Sequence, residues 1–203
     1  MTYQWLLFDA DNTLFDYDQA ETAALTHTFA DFRLDFTPET AVRYRDLNAA
    51  IWREFEAGQI TQADLRAERF RRLFAAAGIA ADPTTFSHAY LGHLARGAFL
   101  VAGAVELLQA LNGRFHLALI TNGLSEVQRP RLAASPLRDA FGPIIVSEEV
   151  GAAKPHPAIF DAAFAAMGHP PREAVLIVGD SLSSDMQGGV NYGIDTCWFN
   201  PAG

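Results

Sequence analysis

The chain has 203 residues, half of them hydrophobic and 19% charged, enough to bury roughly 70% of its unfolded surface without disulfides or other staples. Fifteen basic against twenty-four acidic side chains leave a formal charge of -9, which argues against a nucleic acid polymer or an anionic bilayer as partner and leaves room for a small anion in a local pocket. The single cysteine, Cys197, cannot form an internal disulfide, no apolar run approaches the roughly 20 residues that span a bilayer, and the start Met-Thr-Tyr-Gln lacks a signal peptide's basic region, so the expected compartment is the cytoplasm.

In chain order, the apolar run from Trp5 to Phe8 predicts a first strand. Leu25, Phe29 and Phe32 mark a helix after it. Thr37-Pro38-Glu39 supplies a cap and a first-turn proline for a second helix, with Leu47, Ile51 and Phe55 on one face and an end at Gly58. Thr61 and Asp64 have capping-box spacing and open a third helix through Leu65, Phe70, Leu73 and Phe74 to a stop at Gly78. Phe86, Tyr90, Leu91 and Leu94 mark a fourth. From there the rhythm alternates. Val105, Leu108 and Leu111 lie at helical spacing before a strand at Leu117 to Ile120; Val127 and Leu132 precede a strand at Ile144 to Val146. Ile159, Phe160, Ala163, Phe164 and Met167 precede a strand at Val175 to Val178, and a weaker fifth strand runs from Thr196 to Phe199.

No strand alternates with polar residues, which suits strands covered on both faces in a parallel sheet with helical crossovers. The fold class is α/β, a doubly wound parallel sheet. Residues 16–98 hold four helices and no convincing strand, too much chain for a plain crossover. They read as an inserted all-helical domain, with residues 1–15 and 99–203 forming the α/β core.

In such a sheet, ligands gather beyond the carboxyl ends of the strands. Every strand end is polar here: Asp9-Ala10-Asp11-Asn12-Thr13 after the first, Thr121-Asn122-Gly123 after the second, Ser147-Glu148-Glu149 and then Lys154 after the third, Gly179-Asp180-Ser181 with Asp185 after the fourth. Carboxylates brought together repel unless a cation neutralises them, and Mg²⁺ takes oxygen ligands from one or two carboxylates plus substrate phosphate. Of fifteen basic residues, fourteen are arginine and only Lys154 is lysine, a compact three-donor charge where a planar fork is otherwise chosen. With a threonine hydroxyl and glycine-bordered turns, this set suits phosphoryl transfer. One carboxylate can serve as covalent nucleophile and a second as general acid and base.

At these residues the sequence resembles the haloacid dehalogenase superfamily. Asp9-Ala10-Asp11-Asn12-Thr13-Leu14 is similar to its first motif, Thr121-Asn122-Gly123 to the second, Lys154-Pro155-His156-Pro157 to the third, and Gly179-Asp180-Ser181 with Asp185 to the fourth. The resemblance implies that Asp9 is the nucleophile that becomes an aspartyl phosphate and Asp11 the general acid and base. It places Thr121 and Lys154 on the phosphoryl oxygens, within a phosphate cradle of Ala10, Asp11, Thr121, Asn122, Gly123 and Lys154. It implies Mg²⁺ on the Asp9 and Asp180 carboxylates and the Asp11 carbonyl, with Asp185 acting through water or by orienting Lys154, and a helical cap that closes over the substrate. Phe8 to Asp18, Ser147 to Pro155 and Gly188 through Asn200 resemble bacterial house-cleaning pyrimidine nucleotidases, which implies a nucleoside 5'-monophosphate as substrate; the chain is expected to be a monomer or small homo-oligomer. The same resemblance implies a further short strand and helix beyond Gly203, where this sequence stops.

Phosphatases of phosphoglycolate or sugar phosphates and phosphomutases share these core residues and stand as alternatives. A metal-free dehalogenase has no use for Asp11 and Asp180, and a receiver-like phosphoacceptor domain has no place for the helical insertion. In the insertion, Asp16, Tyr17, Asp18, Trp52 and Phe55 are possible substrate neighbours, with packing the simpler account of the aromatics. The histidines have no ligand spacing for zinc, and Cys197 reads as a small buried hydrophobe.

Overall fold

The computed structural model of the protein describes residues 3–201. In chain order it runs β1 (Trp5–Phe8), α1 (Tyr17–Asp31), α2 (Pro38–Glu56), α3 (Gln62–Ala77), α4 (Pro83–Leu94), α5 (Ala104–Leu111), β2 (His116–Thr121), α6 (Ser125–Ala134), β3 (Ile144–Val146), α7 (Ser147–Val150), α8 (Pro157–Ala166), β4 (Val175–Gly179), α9 (Gln187–Tyr192) and β5 (Asp195–Trp198). Among the described residues no helix is long and apolar enough to cross a membrane.

The five strands form one parallel sheet in the order β3-β2-β1-β4-β5. The chain winds outward from β1 through β2 to β3, then restarts on the other side with β4 and β5. That reversal, between β1 and β4, is where a doubly wound sheet opens a crevice. The apolar runs do not alternate because both faces are buried. Leu7, Ala118, Ile120, Ile145 and Ile177 pack on one face against Ile159, Phe160, Ala163 and Phe164 of α8. Leu6, Phe8, Leu117 and Leu119 pack on the other against Ala104 and Leu108 of α5 and Leu132 of α6. Strand bounds exceed the apolar runs where the ladder continues: His116 pairs with Trp5, Asp195 with Leu176 and Gly179 with Trp198, because backbone pairing does not depend on an apolar side chain.

Two compact units make up the chain, Met1–Asp18 with Ala98–Gly203, and Gln19–Gly97. The second is helical and is stapled by rings: Phe70 lies 4.8 Å from Phe86, 5.1 Å from Tyr90 and 5.5 Å from Tyr44. Thr37 caps α2 through Thr40 N–H, Thr61 and Asp64 form the reciprocal box of α3, and Gly78 ends it in the left-handed region at φ 67. The buried face of α2 differs from the expected one. Tyr44, Asn48 and Ile51 are buried whereas Leu47 and Phe55 are only half-buried. Tyr44 stacks on Phe70, and Asn48 Nδ2 donates to the buried Glu21 carboxylate at 3.2 Å. A polar residue at a core position hid that stripe. Phe32 also falls outside α1, which ends at Asp31 before Arg33 turns left-handed at φ 57.

Candidate active site

The carboxyl ends of β1, β2 and β4 bring the polar strand ends of the α/β unit together. Asp9 is held to the sheet by its N–H, which donates to Val178 O at 2.9 Å, and its side chain is buried. Directly after it the chain turns back, with Leu14 and Phe15 N–H groups donating to the Ala10 carbonyl and Asn12 in the left-handed region at φ 59. Asparagine tolerates that conformation, and its Oδ1 accepts from Tyr17 N–H at 3.0 Å. The turn returns Thr13 so that its hydroxyl donates to Asp9 Oδ2 at 3.1 Å.

Lys154 occupies the centre of the cluster and is 1% exposed. Its Nζ donates to Asp9 Oδ1 at 2.6 Å, to Asp185 Oδ1 at 2.6 Å and to the Ile120 carbonyl at 3.0 Å. Three acceptors from the ends of three strands match the three hydrogens of an ammonium, which gives the lone lysine a geometric reason. A phosphoryl oxygen reaches Lys154 only by sharing a hydrogen already donated. Asp185 sits in a π-helical turn, Leu182–Met186, whose five-residue step is closed by Met186 N–H on Ser181 O at 3.1 Å. Its Oδ2 accepts from Ser181 N–H at 3.0 Å, and a Cβ on Gly179 would lie 2.3 Å from that oxygen, so only glycine fits at the end of β4. With both oxygens engaged, Asp185 holds Lys154 in place.

Asp9, Asp180 and Asp185 each bring a carboxylate oxygen within 4.8 Å of the others. Burial pushes Asp9 up, to about 8, against the pull of Lys154 and with added repulsion from Asp185. Burial likewise raises Asp180 to about 6, again with Asp185 adding to it. On Lys154 burial acts downward, but the Asp185 and Asp9 charges outweigh it and hold the ammonium above its ordinary range. Two carboxylates whose proton affinity burial and mutual repulsion raise, presenting only hard oxygen donors, fit a divalent cation such as Mg²⁺.

Thr121, at the end of β2, is 1% exposed, and its Oγ1 has no hydrogen-bond partner among the described residues. A buried hydroxyl without a partner is costly unless a ligand supplies one, and this orphan suits a phosphoryl oxygen. The two residues after it are differently engaged than expected. Asn122 Nδ2 donates to Lys154 O at 2.8 Å and its Oδ1 accepts from Lys154 N–H at 2.7 Å, so its side chain braces the lysine instead of facing an anion. Gly123 N–H donates to Ser147 Oγ at 3.1 Å. The Asn122 side-chain amide and the Gly123 N–H thus both bridge the β2 and β3 ends.

Asp11, two residues beyond Asp9, directs its carboxylate toward α6. Gln128 Nε2 donates to Oδ2 at 2.7 Å and Arg131 Nη2 donates to Oδ1. Asp16 and Asp18 line a cavity of about 420 Å³ together with Asn12, Asp180, Trp198 and Asn200, while Trp198 Nε1 donates to the Asp180 carbonyl at 2.8 Å. Trp52 and Phe55 belong to the helical unit and pack edge-to-face at 5.8 Å. Cys197 is exposed, contrary to expectation. Thr196 faces α9 across Gly189, and strand alternation sends Cys197 to the opposite, open side. His156 is the N-cap of α8, its Nδ1 accepting from Ala158 N–H.

Residues 3–193 match the haloacid dehalogenase-like hydrolase family. The chain belongs to this family. Pyrimidine 5'-nucleotidase YjjG of Escherichia coli strain K12 is 39% identical over 200 residues, covering 98% of this chain and 87% of that protein. Pyrimidine 5'-nucleotidase PynA of Streptococcus pneumoniae is 36% identical over 202 residues, 99% of this chain and 85% of that one. The crystal structure of YfnB from Bacillus subtilis, bound to magnesium, superposes with a TM-score of 0.96 at 37% identity, covering all of this chain and 91% of the other. In this haloacid dehalogenase-like hydrolase the two residues that sequence reasoning passed over are Gln128 and Arg131. The stretch from Val127 to Leu132 carries an amphipathic pattern, and nothing in periodicity distinguishes a buried arginine on such a helix from a solvated one. The signal was only that the two polar residues stand three apart, on one face.

Proposed function

We propose that this hydrolase removes phosphate from nucleoside 5'-monophosphates, pyrimidine nucleotides among them, through a covalent intermediate on Asp9 and with Mg²⁺ as cofactor, in the cytoplasm. The observation that carries the reading is the Lys154 hub, which aligns the buried Asp9 carboxylate beside Asp180 and Asp185. The identity to two pyrimidine 5'-nucleotidases supports the choice of substrate.

In the first step an Asp9 carboxylate oxygen attacks phosphorus, the bond from phosphorus to the ester oxygen breaks, and the leaving 5'-oxygen takes a proton from Asp11. In the second, water attacks the aspartyl phosphate, gives its proton to Asp11, and releases inorganic phosphate and the free Asp9 carboxylate. Lys154 and Thr121 hold phosphoryl oxygens as charge redistributes over them. The Asp9 and Asp180 carboxylates and the Asp11 carbonyl would hold Mg²⁺, which when bound supplies positive charge to the carboxylates and the phosphoryl group. Phosphate release from a panel of nucleoside monophosphates, sugar phosphates and phosphoglycolate, with Mg²⁺ and with EDTA, tests the proposal. It expects Mg²⁺-dependent release ranked highest on pyrimidine nucleotides. A ranking headed by another ester would overturn the substrate, and release undiminished by EDTA would overturn the cofactor.

A further inference from the structure

Gln128 and Arg131 are buried on α6, 5% and 0% exposed. They close a ring with Asp11: Arg131 Nη2 donates both to Asp11 Oδ1 and to Gln128 Oε1, the latter at 2.8 Å, while Gln128 Nε2 donates to Asp11 Oδ2. The Arg131 contact to Oε1 fixes which end of the Gln128 amide faces the carboxylate. The guanidinium carbon lies 4.6 Å from the centroid of the Phe15 ring, on the same turn that pairs Asp11 with Phe15. A Cβ on Gly123 would come 2.5 Å from Gln128 Nε2, so the bare glycine of Thr121-Asn122-Gly123 is what lets Gln128 cross to Asp11.

Stability does not account for this arginine. Its Nε and Nη1 are buried without an acceptor among the described residues, and replacing a buried ion pair as a whole by apolar residues of similar volume is often neutral or stabilising. What the guanidinium does do is aim a single, partly exposed carboxylate. We propose that Gln128 and Arg131 are positioning residues for Asp11, fixing the plane in which it protonates the leaving oxygen. Each carboxylate oxygen keeps a second lone-pair site, and the Asp11 side chain is 26% exposed, so one edge is open to a substrate. This inference rests on Asp11 being the general acid.

The test compares kcat/KM for 4-nitrophenyl phosphate, whose leaving group departs unprotonated, with kcat/KM for the alkyl phosphate hydrolysed best, whose alkoxide needs a proton. Asp11→Asn, Gln128→Met, Arg131→Leu and Arg131→Lys are measured beside the parent. Because general acid catalysis contributes about 10²–10⁴-fold, Asp11→Asn should lose on the order of 10²-fold more on the alkyl ester than on the aryl one. Gln128→Met and Arg131→Leu should lose about 10-fold more, with Arg131→Lys recovering part of the difference. Equal losses on both esters in these variants, or a gain on the alkyl ester, would overturn the positioning role while Asp11→Asn alone keeps its selectivity. If Asp11→Asn shows no selectivity, the general-acid reading itself falls and the positioning role with it. Should Arg131→Leu fail to fold, Gln128→Met decides by the same ratio.

Discussion

Replacing Lys154 by arginine preserves the charge and changes only its shape, so it isolates the three-acceptor geometry. Nζ now serves Asp9, Asp185 and the Ile120 carbonyl from one tetrahedral centre with almost no solvent contact. A planar guanidinium cannot place donors on all three, and losing even one charge-assisted bond costs about 1.5–3 kcal/mol. The larger head also overpacks a filled site, at about 1–3 kcal/mol. Together these give about 2.5–6 kcal/mol, or a drop of roughly 5–24 °C in Tm for a chain of this size. Thermal unfolding and steady-state turnover of Lys154→Arg, with Lys154→Met beside it, measure the effect. In Lys154→Met the buried Asp9 carboxylate loses the Lys154 charge that favours its ionised form, so its proton affinity rises further and stability falls as pH rises. An arginine variant within about 1 kcal/mol of the parent, turning over at the parent rate, would refute the geometric account of the lone lysine.

Further expectations follow from the same site. Asp9→Asn keeps the volume and removes the nucleophile, so turnover should vanish while circular dichroism and Tm remain near the parent's; residual near-normal turnover would exclude the aspartyl phosphate. Thr121→Val deletes a hydroxyl that has no partner in the fold, so unfolding free energy should move by no more than about 1 kcal/mol while kcat/KM falls about 10–100-fold, the worth of one charge-assisted bond. Asp9 and Asp180 are raised to about 8 and about 6, so between the ordinary carboxylate range and those values the folded metal-free protein binds more protons than the unfolded chain. Their contribution to its stability therefore declines as pH rises. Mg²⁺ must displace those protons, so its stabilising shift should be larger at about pH 8.5 than at about pH 5.5. Equal shifts in calorimetry at the two pH values would contradict the ligand assignment. Asp180→Ala should weaken the Mg²⁺ titration as well as the rate, and an unchanged titration would remove Asp180 from the metal site.

Most of the α/β unit was legible because its signals are local. Apolar runs of three or four residues, punctuated by Gly113 and Gly168, mark strands buried on both faces, and the polar residues that follow each run name the chemistry at the rim. The helical unit was legible at its caps, where Thr61, Asp64 and Gly78 act within one turn. It was misread on the α2 face, where the buried pairing of Asn48 with Glu21 spans 27 residues and contradicts the hydropathy rule. Cys197 was misread for a related reason: its exposure depends on which side of β5 is covered, which no local pattern encodes.

The amino-acid order alone determined the elements and the inventory of reactive groups, Asp9, Asp11, Thr121, Lys154, Asp180 and Asp185, because periodicity, capping and strand-end polarity operate over a few neighbours. Only the tertiary structure decided how those groups are partnered. Lys154 meets Asp9 across 145 residues and Arg131 meets Asp11 across 120. It settled that Asn122 braces the lysine, that Thr121 is left with an open hydroxyl, and that Gln128 and Arg131 share the Asp11 carboxylate. Such contacts arise from strand order and crossover, which bring distant strand ends to one rim, and burial then makes each hydrogen bond there obligatory.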